Sequence, residues 1–204
     1  FQPGNAARIK MFASMTFWLQ GGGILFTVRK RPQRERTFMY FGVDYHPEQW
    51  IHPYGGTREK PESAWQRDIE LMQTAGVNVV RMGEFTWGIC EPEDGKYDFG
   101  WLKRVMNLLG KAGIKVVLAT PTAAPPIWLS QKHPEILPVD ERGLIKREGT
   151  RRAVCLNSDV FWEHSKRIVE NMAKALGQHP QLIAWQIDNG LGAHFTEAAF
   201  NEDT

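Results

Sequence analysis

The sequence is short of cysteine, with only Cys90 and Cys155 among 204 residues. Two thiols far apart in sequence make neither a disulfide framework nor the paired C-x-x-C spacing of a structural zinc site. Both are expected to be reduced and partly buried, with no metal and no cofactor implied. A glycine-rich phosphate turn is also lacking: neither "DYHPEQW" nor "GEFTWG" resembles G-x-G-x-x-G, which argues against a dinucleotide site. The third deficit is a basic stripe. Residues 1–36 hold seven of the 25 Lys and Arg and a single Glu, leaving eighteen basic residues against twenty-two acidic ones in the body of the chain. A mildly acidic body cannot neutralise a row of phosphates, so nucleic acid is excluded as a partner.

What is there begins with an uncharged run, "MFASMTFWLQGGGILFTV" (Met11 to Val28), preceded by Arg8 and Lys10. A basic flank and an apolar stretch are features of a signal peptide or anchor. Against that, three glycines and Gln20 interrupt the run, "RKRPQRER" follows it, and no small-residue cleavage site is evident. Residues 1–36 therefore read as a leader that is either a disordered extension or a targeting segment. Localisation, cytoplasmic or secreted, is left open by the same ambiguity.

Residues 37–204 alternate strand and helix signals. "FMYFGVDY" (Phe38 to Tyr45), "VNVVRMGEF" (Val77 to Phe85), "IKVVLATP" (Ile114 to Pro121) and "LIAWQIDN" (Leu182 to Asn189) are short, mostly apolar runs of strand type. Helical periodicity places Trp65, Ile69 and Met72 on one face before Gly76, and Leu102, Val105, Met106 and Leu109 on another before Gly113, with Asp98 as a cap. A third helix starts at the cap Ser158 and turns Ile168, Val169, Met172 and Leu176 inward. Four β/α units without hairpin signals indicate an α/β fold with a parallel sheet. Its polar residues gather after the strands: Asp44, Tyr45 and His46, then Glu84 and Trp87, then Thr120 and Thr122, then Asp188 and Asn189. That placement suits a (β/α)8 TIM-type barrel, whose sites lie at the C-terminal ends of its strands. A closed barrel takes roughly 250 residues, so the four units present read as half a barrel, either a fragment or a half that assembles through its open edges.

Polar groups converging with tryptophans suit a carbohydrate, whose faces stack on rings and whose hydroxyls are read by planar polar groups. Trp87, Trp128 and Trp185 are candidates, with core packing as the alternative for each. Glu84 follows "VVRMG" and is expected in the barrel mouth. Arg151 and Arg152 lie in the long loop after the third strand, where an arginine can fix sugar hydroxyls or tune a carboxyl group. His46, His133 and His194 lack metal-ligand spacing and read as hydrogen-bonding residues, while Glu197 and Glu202 read as exposed charges.

The stretches "FGVDYHPEQW", "RMGEFTWGICEPEDGKYDFGWL", "LATPTAAPPIWLSQKHPEILPVD", "GTRRAVC" and "WQIDN" together resemble the N-terminal half of the catalytic barrel of glycoside hydrolase family 42, the microbial β-galactosidases, from about Phe38 to Asn189. The resemblance implies a retaining hydrolase, in which one carboxylic acid protonates the glycosidic oxygen and a second carboxylate attacks the anomeric carbon. It implies substrate contacts by Glu84, Trp87, Arg152 and Asn189, and a β-galactoside or related carbohydrate as partner. Gly190 occupies the acid/base position of the family pattern W-Q-x-D-N-E, where glycine has no proton to donate. The nearest later carboxylate, Glu197, is a candidate substitute, and the nucleophile belongs to a later strand of the family barrel. Cys155 matches one ligand of a zinc site found in some members, but "HFTEAAFNEDT" replaces the expected cysteine cluster and no metal is implied. Two functions remain at this point: a hydrolase that is inactive as this chain alone, and a non-catalytic carbohydrate-binding pseudoenzyme.

Overall fold

A computed structural model describes residues 10–11, 15–20, 23–28, 39–51, 61–149, 152–190 and 199–201. The chain divides into two units, Phe1–Met39 and Tyr40–Thr204. The first contains an antiparallel sheet in the order β1 (Lys10–Met11), β2 (Met15–Gln20), β3 (Gly23–Val28), with β2 and β3 in register from Met15↔Val28 to Gln20↔Gly23. The uncharged run of the leader thus contains strands, in keeping with the aromatic and β-branched residues it holds. Among the described residues no helix is long and apolar enough to cross a membrane.

The second unit carries four parallel strands in the order β4 (Gly42–Asp44), β5 (Val79–Met82), β6 (Lys115–Ala119), β7 (Leu182–Gln186). Between them run α1 (Pro61–Thr74), α2 (Trp87–Cys90), α3 (Gly100–Lys111), α4 (Ile127–Lys132) and α5 (Asp159–Leu176). The strand expected over Phe38–Tyr45 narrows to three residues, because only Gly42 to Asp44 find ladder partners, from Gly42↔Val79 to Asp44↔Arg81. Gly42 is required there by close approach: a Cβ would lie 2.6 Å from Val79 Cγ1 and 2.7 Å from Val79 O.

Helical periodicity translates directly into packing. Trp65, Ile69 and Met72 of α1, Leu102, Val105, Met106 and Leu109 of α3, and Ile168, Met172 and Leu176 of α5 join one buried cluster, with Val169 half-buried beside them. Each such large apolar side chain contributes about 1.5–3 kcal/mol when fully buried. Ser158 caps α5 as expected, accepting from the Phe161 amide at 3.3 Å. Asp98 does not cap α3. Phe99 holds that position with no side-chain cap bond, while Asp98 Oδ1 accepts from Gly100 N at 2.8 Å, so the carboxylate closes the turn leading into the helix instead.

The two faces of the sheet differ. On one, Val80, Met82, Val116 and Leu118 are at most 1% exposed beneath the helices. On the other, Val79, Arg81, Lys115 and Val117 are half-buried, since side chains alternate along a strand. In a barrel that second face is the interior. Among the described residues neither edge strand has a second ladder partner; β4 is exposed throughout and β7 is only half-buried.

Cys90 and Cys155 are free and buried, and burial pushes the Cys90 thiol up to about 12. A thiol reacts as its thiolate. Ellman's reagent is therefore expected to leave native protein unlabelled and to titrate two thiols in denaturant; rapid labelling of native Cys90 would contradict the packing around it.

Candidate functional site

The site begins with a charged residue in the middle of a strand. Arg81 on β5 points to the open face, where its Nε and Nη2 donate to Asp44 Oδ1 and Oδ2, each at 2.6 Å. Its Nη1 donates to Glu84 Oε2 at 2.5 Å and to Gln186 Oε1 at 3.0 Å. One guanidinium thereby ties β4, β5 and β7 together, using the fork geometry that makes arginine suited to carboxylates. Hydrogen bonding from Arg81 holds the Asp44 carboxyl below the usual carboxylate range. Glu84 is 2% exposed, and a carboxylate so deeply placed needs such a partner.

A second knot closes the end of β7. Asp188 N donates to Thr120 Oγ1 and Thr122 Oγ1 donates to Asp188 Oδ2, both at 2.7 Å. Arg152 Nη2 is paired with Asp188 Oδ1, and Arg152 Nε donates to Gly190 O at 2.9 Å. Arg152 and Asp188 both have left-handed backbones, with φ of 57° and 55°. That conformation costs a non-glycine residue about 1–2 kcal/mol, and the ion pair and hydroxyl bonds hold it. Gly190 is left-handed as well, with φ of 70°, which favours glycine. Gln186 joins the two knots, since its Oε1 accepts from Arg81 and its Nε2 donates to Asp188 O at 2.9 Å.

Of the residues expected from sequence, Glu84, Arg152 and Asn189 come together at the C-terminal ends of the strands. Arg152 is 1% exposed and bound to the β7 end, so its contact with a ligand would be made from a fixed, buried position. Asn189 is half-buried and its backbone N–H donates to Asp188 Oδ1. Trp87 is not at the mouth. It is fully buried, its indole N–H donates to Glu91 Oε2 at 2.8 Å, and its ring lies 6.3 Å from Phe161, leaving no face for a sugar to stack on. Trp128 also turns inward, donating to Glu91 O at 2.8 Å. Trp185 lies on the helix side because its neighbour Gln186 faces Arg81. Arg151, His194, Glu197 and Glu202 lie outside the described residues.

Sequence reasoning missed Arg81 and Gln186. A lone arginine inside the apolar run "VVRM" was the available signal, because a buried charge needs a partner. Beside the site a pocket of about 280 Å³ is lined by residues including Phe85, Pro125, Pro126, Ile127 and Ala153. Guanidinium, carboxylate and amide groups can read hydroxyls, and a largely apolar pocket wall can cover a ring face, but Gly190 contributes no acid.

Comparison with known proteins fits this geometry. The model of glycoside hydrolase family 42, described as β-galactosidase, matches residues 44–203. A β-galactosidase of an Arthrobacter species is 46% identical over 163 residues, 80% of this chain and 22% of that protein. The β-galactosidase Bga of Halorubrum lacusprofundi is 41% identical over 165 residues, 81% of this chain and 22% of its own length. Among solved structures, the β-galactosidase of the psychrophilic Marinomonas ef1 superposes with a TM-score of 0.73 at 38% identity, covering 81% of this chain and 24% of that one. The family 42 β-galactosidase Gan42B gives 0.68 at 37% identity, covering 74% and 21%. The chain thus spans about a fifth of the length of the curated relatives it matches. With its matched residues covering most of the sequence and its strand-end polar groups in one place, the chain belongs to glycoside hydrolase family 42.

Proposed function

We propose that this chain forms the N-terminal half of the (β/α)8 barrel of a retaining β-galactosidase, and that as a 204-residue chain it is inactive. The observation that carries this reading is the cluster of Arg81, Glu84, Gln186 and Arg152 on the open face of a parallel sheet, in a member of this family. Glu84, Arg152 and Asn189 contact the galactoside, and Arg81 orders Glu84 for it. Trp87 acts indirectly, by holding Glu91 at the end of α2 through its indole N–H. Gly190 stands at the acid/base position, and no proton donor follows from it. The half-exposed interior face and the two open edge strands support the half-barrel.

Titrating galactose and glucose into labelled protein tests the substrate class. Galactose is expected to shift the signals of Asn189 and the Arg152 guanidinium more than glucose does. An equal response to both sugars, or none, would remove the galactoside reading. The open edges also predict self-association, because large exposed apolar patches and unpaired strand edges are unusual in soluble monomers. Light scattering is expected to show species above 23.3 kDa; a monodisperse monomer would count against it.

The second reading, a carbohydrate-binding pseudoenzyme, is favoured by one observation, the glycine at position 190 with a backbone that suits glycine. Galactose binding without turnover, once the remaining strands are supplied, would select it.

A further inference from the structure

The proposed site leaves unused a histidine at the C-terminal end of β4. His46 Nδ1 lies 3.0 Å from Glu48 Oε1, and its ring is 5.6 Å from Phe85, tilted by 33°. The imidazole is therefore held at one nitrogen and along one side. Its side chain remains 29% exposed, and Nε2 has no partner among the described residues. Glu48 is 6% exposed, and its second oxygen is buried without a partner among the described residues. Its surroundings explain the arrangement. Glu84 on the neighbouring loop has Arg81, whereas among the described residues Glu48 has His46, and the nearby groups Tyr45, Glu84 and Cys90 supply no cation. A ring nitrogen and a carboxyl oxygen at 3.0 Å make a hydrogen bond through one proton between Oε1 and Nδ1. Burial pushes the Glu48 carboxyl up, and the bond to His46 opposes that shift.

We propose that His46 and Glu48 form a second hydrogen-bonding couple of the candidate site, in which buried Glu48 fixes the imidazole so that Nε2 meets a ligand hydroxyl at the mouth of the sheet. A carboxyl group bonded to one ring nitrogen sets both tautomer and orientation of the other. Glu48 is a positioning residue, acting through His46. The inference rests on the carbohydrate reading only for the identity of the ligand; the couple itself stands on geometry.

Two measurements on the full chain test it. In long-range 1H–15N spectra, the nitrogens of His46 are expected to report one tautomer in the native protein, with the proton on Nδ1. Glu48→Leu, which removes the partner and leaves an apolar group in a buried place, is expected to return the ring to the Nε2-protonated form usual for free histidine. Thermal melting verifies that this variant folds, and Glu48→Ala serves in its place if it does not. A native Nε2-protonated ring, unchanged by the substitution, overturns the couple. In the second measurement galactose is titrated and all six histidines are followed. His46 is expected to shift, and Glu48→Leu to raise the apparent Kd about threefold to tenfold, as the loss of one positioned hydrogen bond does. Shifts at Arg152 and Asn189 with His46 unmoved overturn this inference and leave the proposed function standing, whereas no shift at any residue overturns both.

Discussion

Completed with the remaining strands of a family barrel, the protein is expected to hydrolyse galactosides with activated aryl leaving groups while acting about 10²- to 10⁴-fold more slowly on those with alkyl or sugar leaving groups than an enzyme that has its acid. The reason is the identity of residue 190. Proton donation matters in proportion to the basicity of the departing oxygen, so a phenolate of low basicity leaves unaided and an alkoxide does not. Nucleophilic attack from a later strand would be untouched. Gly190→Glu should then raise the rate on alkyl galactosides far more than on activated aryl ones. The backbone opposes the substitution: φ at Gly190 is 70°, where a side chain costs about 1–2 kcal/mol. The gain is accordingly expected with a small loss of stability, or with local movement of the turn held by Arg152. Steady-state kinetics on a series of leaving groups decides the matter. A flat dependence before substitution and no gain after it would mean that another residue supplies the proton.

Arg152→Met should be the most damaging single substitution outside the apolar core. Asp188 is 12% exposed in its side chain and is paired with Arg152, and removing one partner of a buried pair leaves the other charge uncompensated, at about 3–5 kcal/mol. The same substitution removes the bond to Gly190 O and much of what holds the left-handed backbone of Asp188. For a unit of this size the loss corresponds to a fall in Tm of about 6–20 °C. Asp188→Leu combined with Arg152→Met should recover part of it, because no buried charge is then stranded. A fall of under 2 °C for the single variant, measured by thermal melting, would show that the knot at β7 is not structural.

The helices were legible in the sequence for a local reason. Trp65, Ile69 and Met72, or Leu102, Val105, Met106 and Leu109, recur at the helical period, and any fold that uses those helices must bury those faces. The four strands and their parallel arrangement were legible on the same ground, and so were the ends of the strands as the place for polar residues. The motifs that carry the family resemblance lie at those ends, which is why Glu84, Arg152 and Asn189 are candidates from the sequence. Asp98 shows the limit of local reading: the residue type fits a cap, but the chain enters α3 one residue later.

What the sequence by itself determined, then, was the element order, the buried helix faces and the family, because each rests on residues close together in the chain. Tertiary structure alone decided the partners. Arg81 meets Asp44 and Gln186 only because β4, β5 and β7 lie in one parallel sheet and alternation turns these residues to the same face, while Glu84 reaches it from the turn after β5. Trp87 and Glu84, three residues apart, separate for the complementary reason: α2 starts at Trp87 and carries the indole into the core beside Phe161, while the carboxylate stays with Arg81. The role of Gly190 was divided in the same way. Its lack of a carboxyl group is a fact of sequence, whereas the left-handed turn and the bond from Arg152 that hold it exist only where the loop after β6 returns to the end of β7.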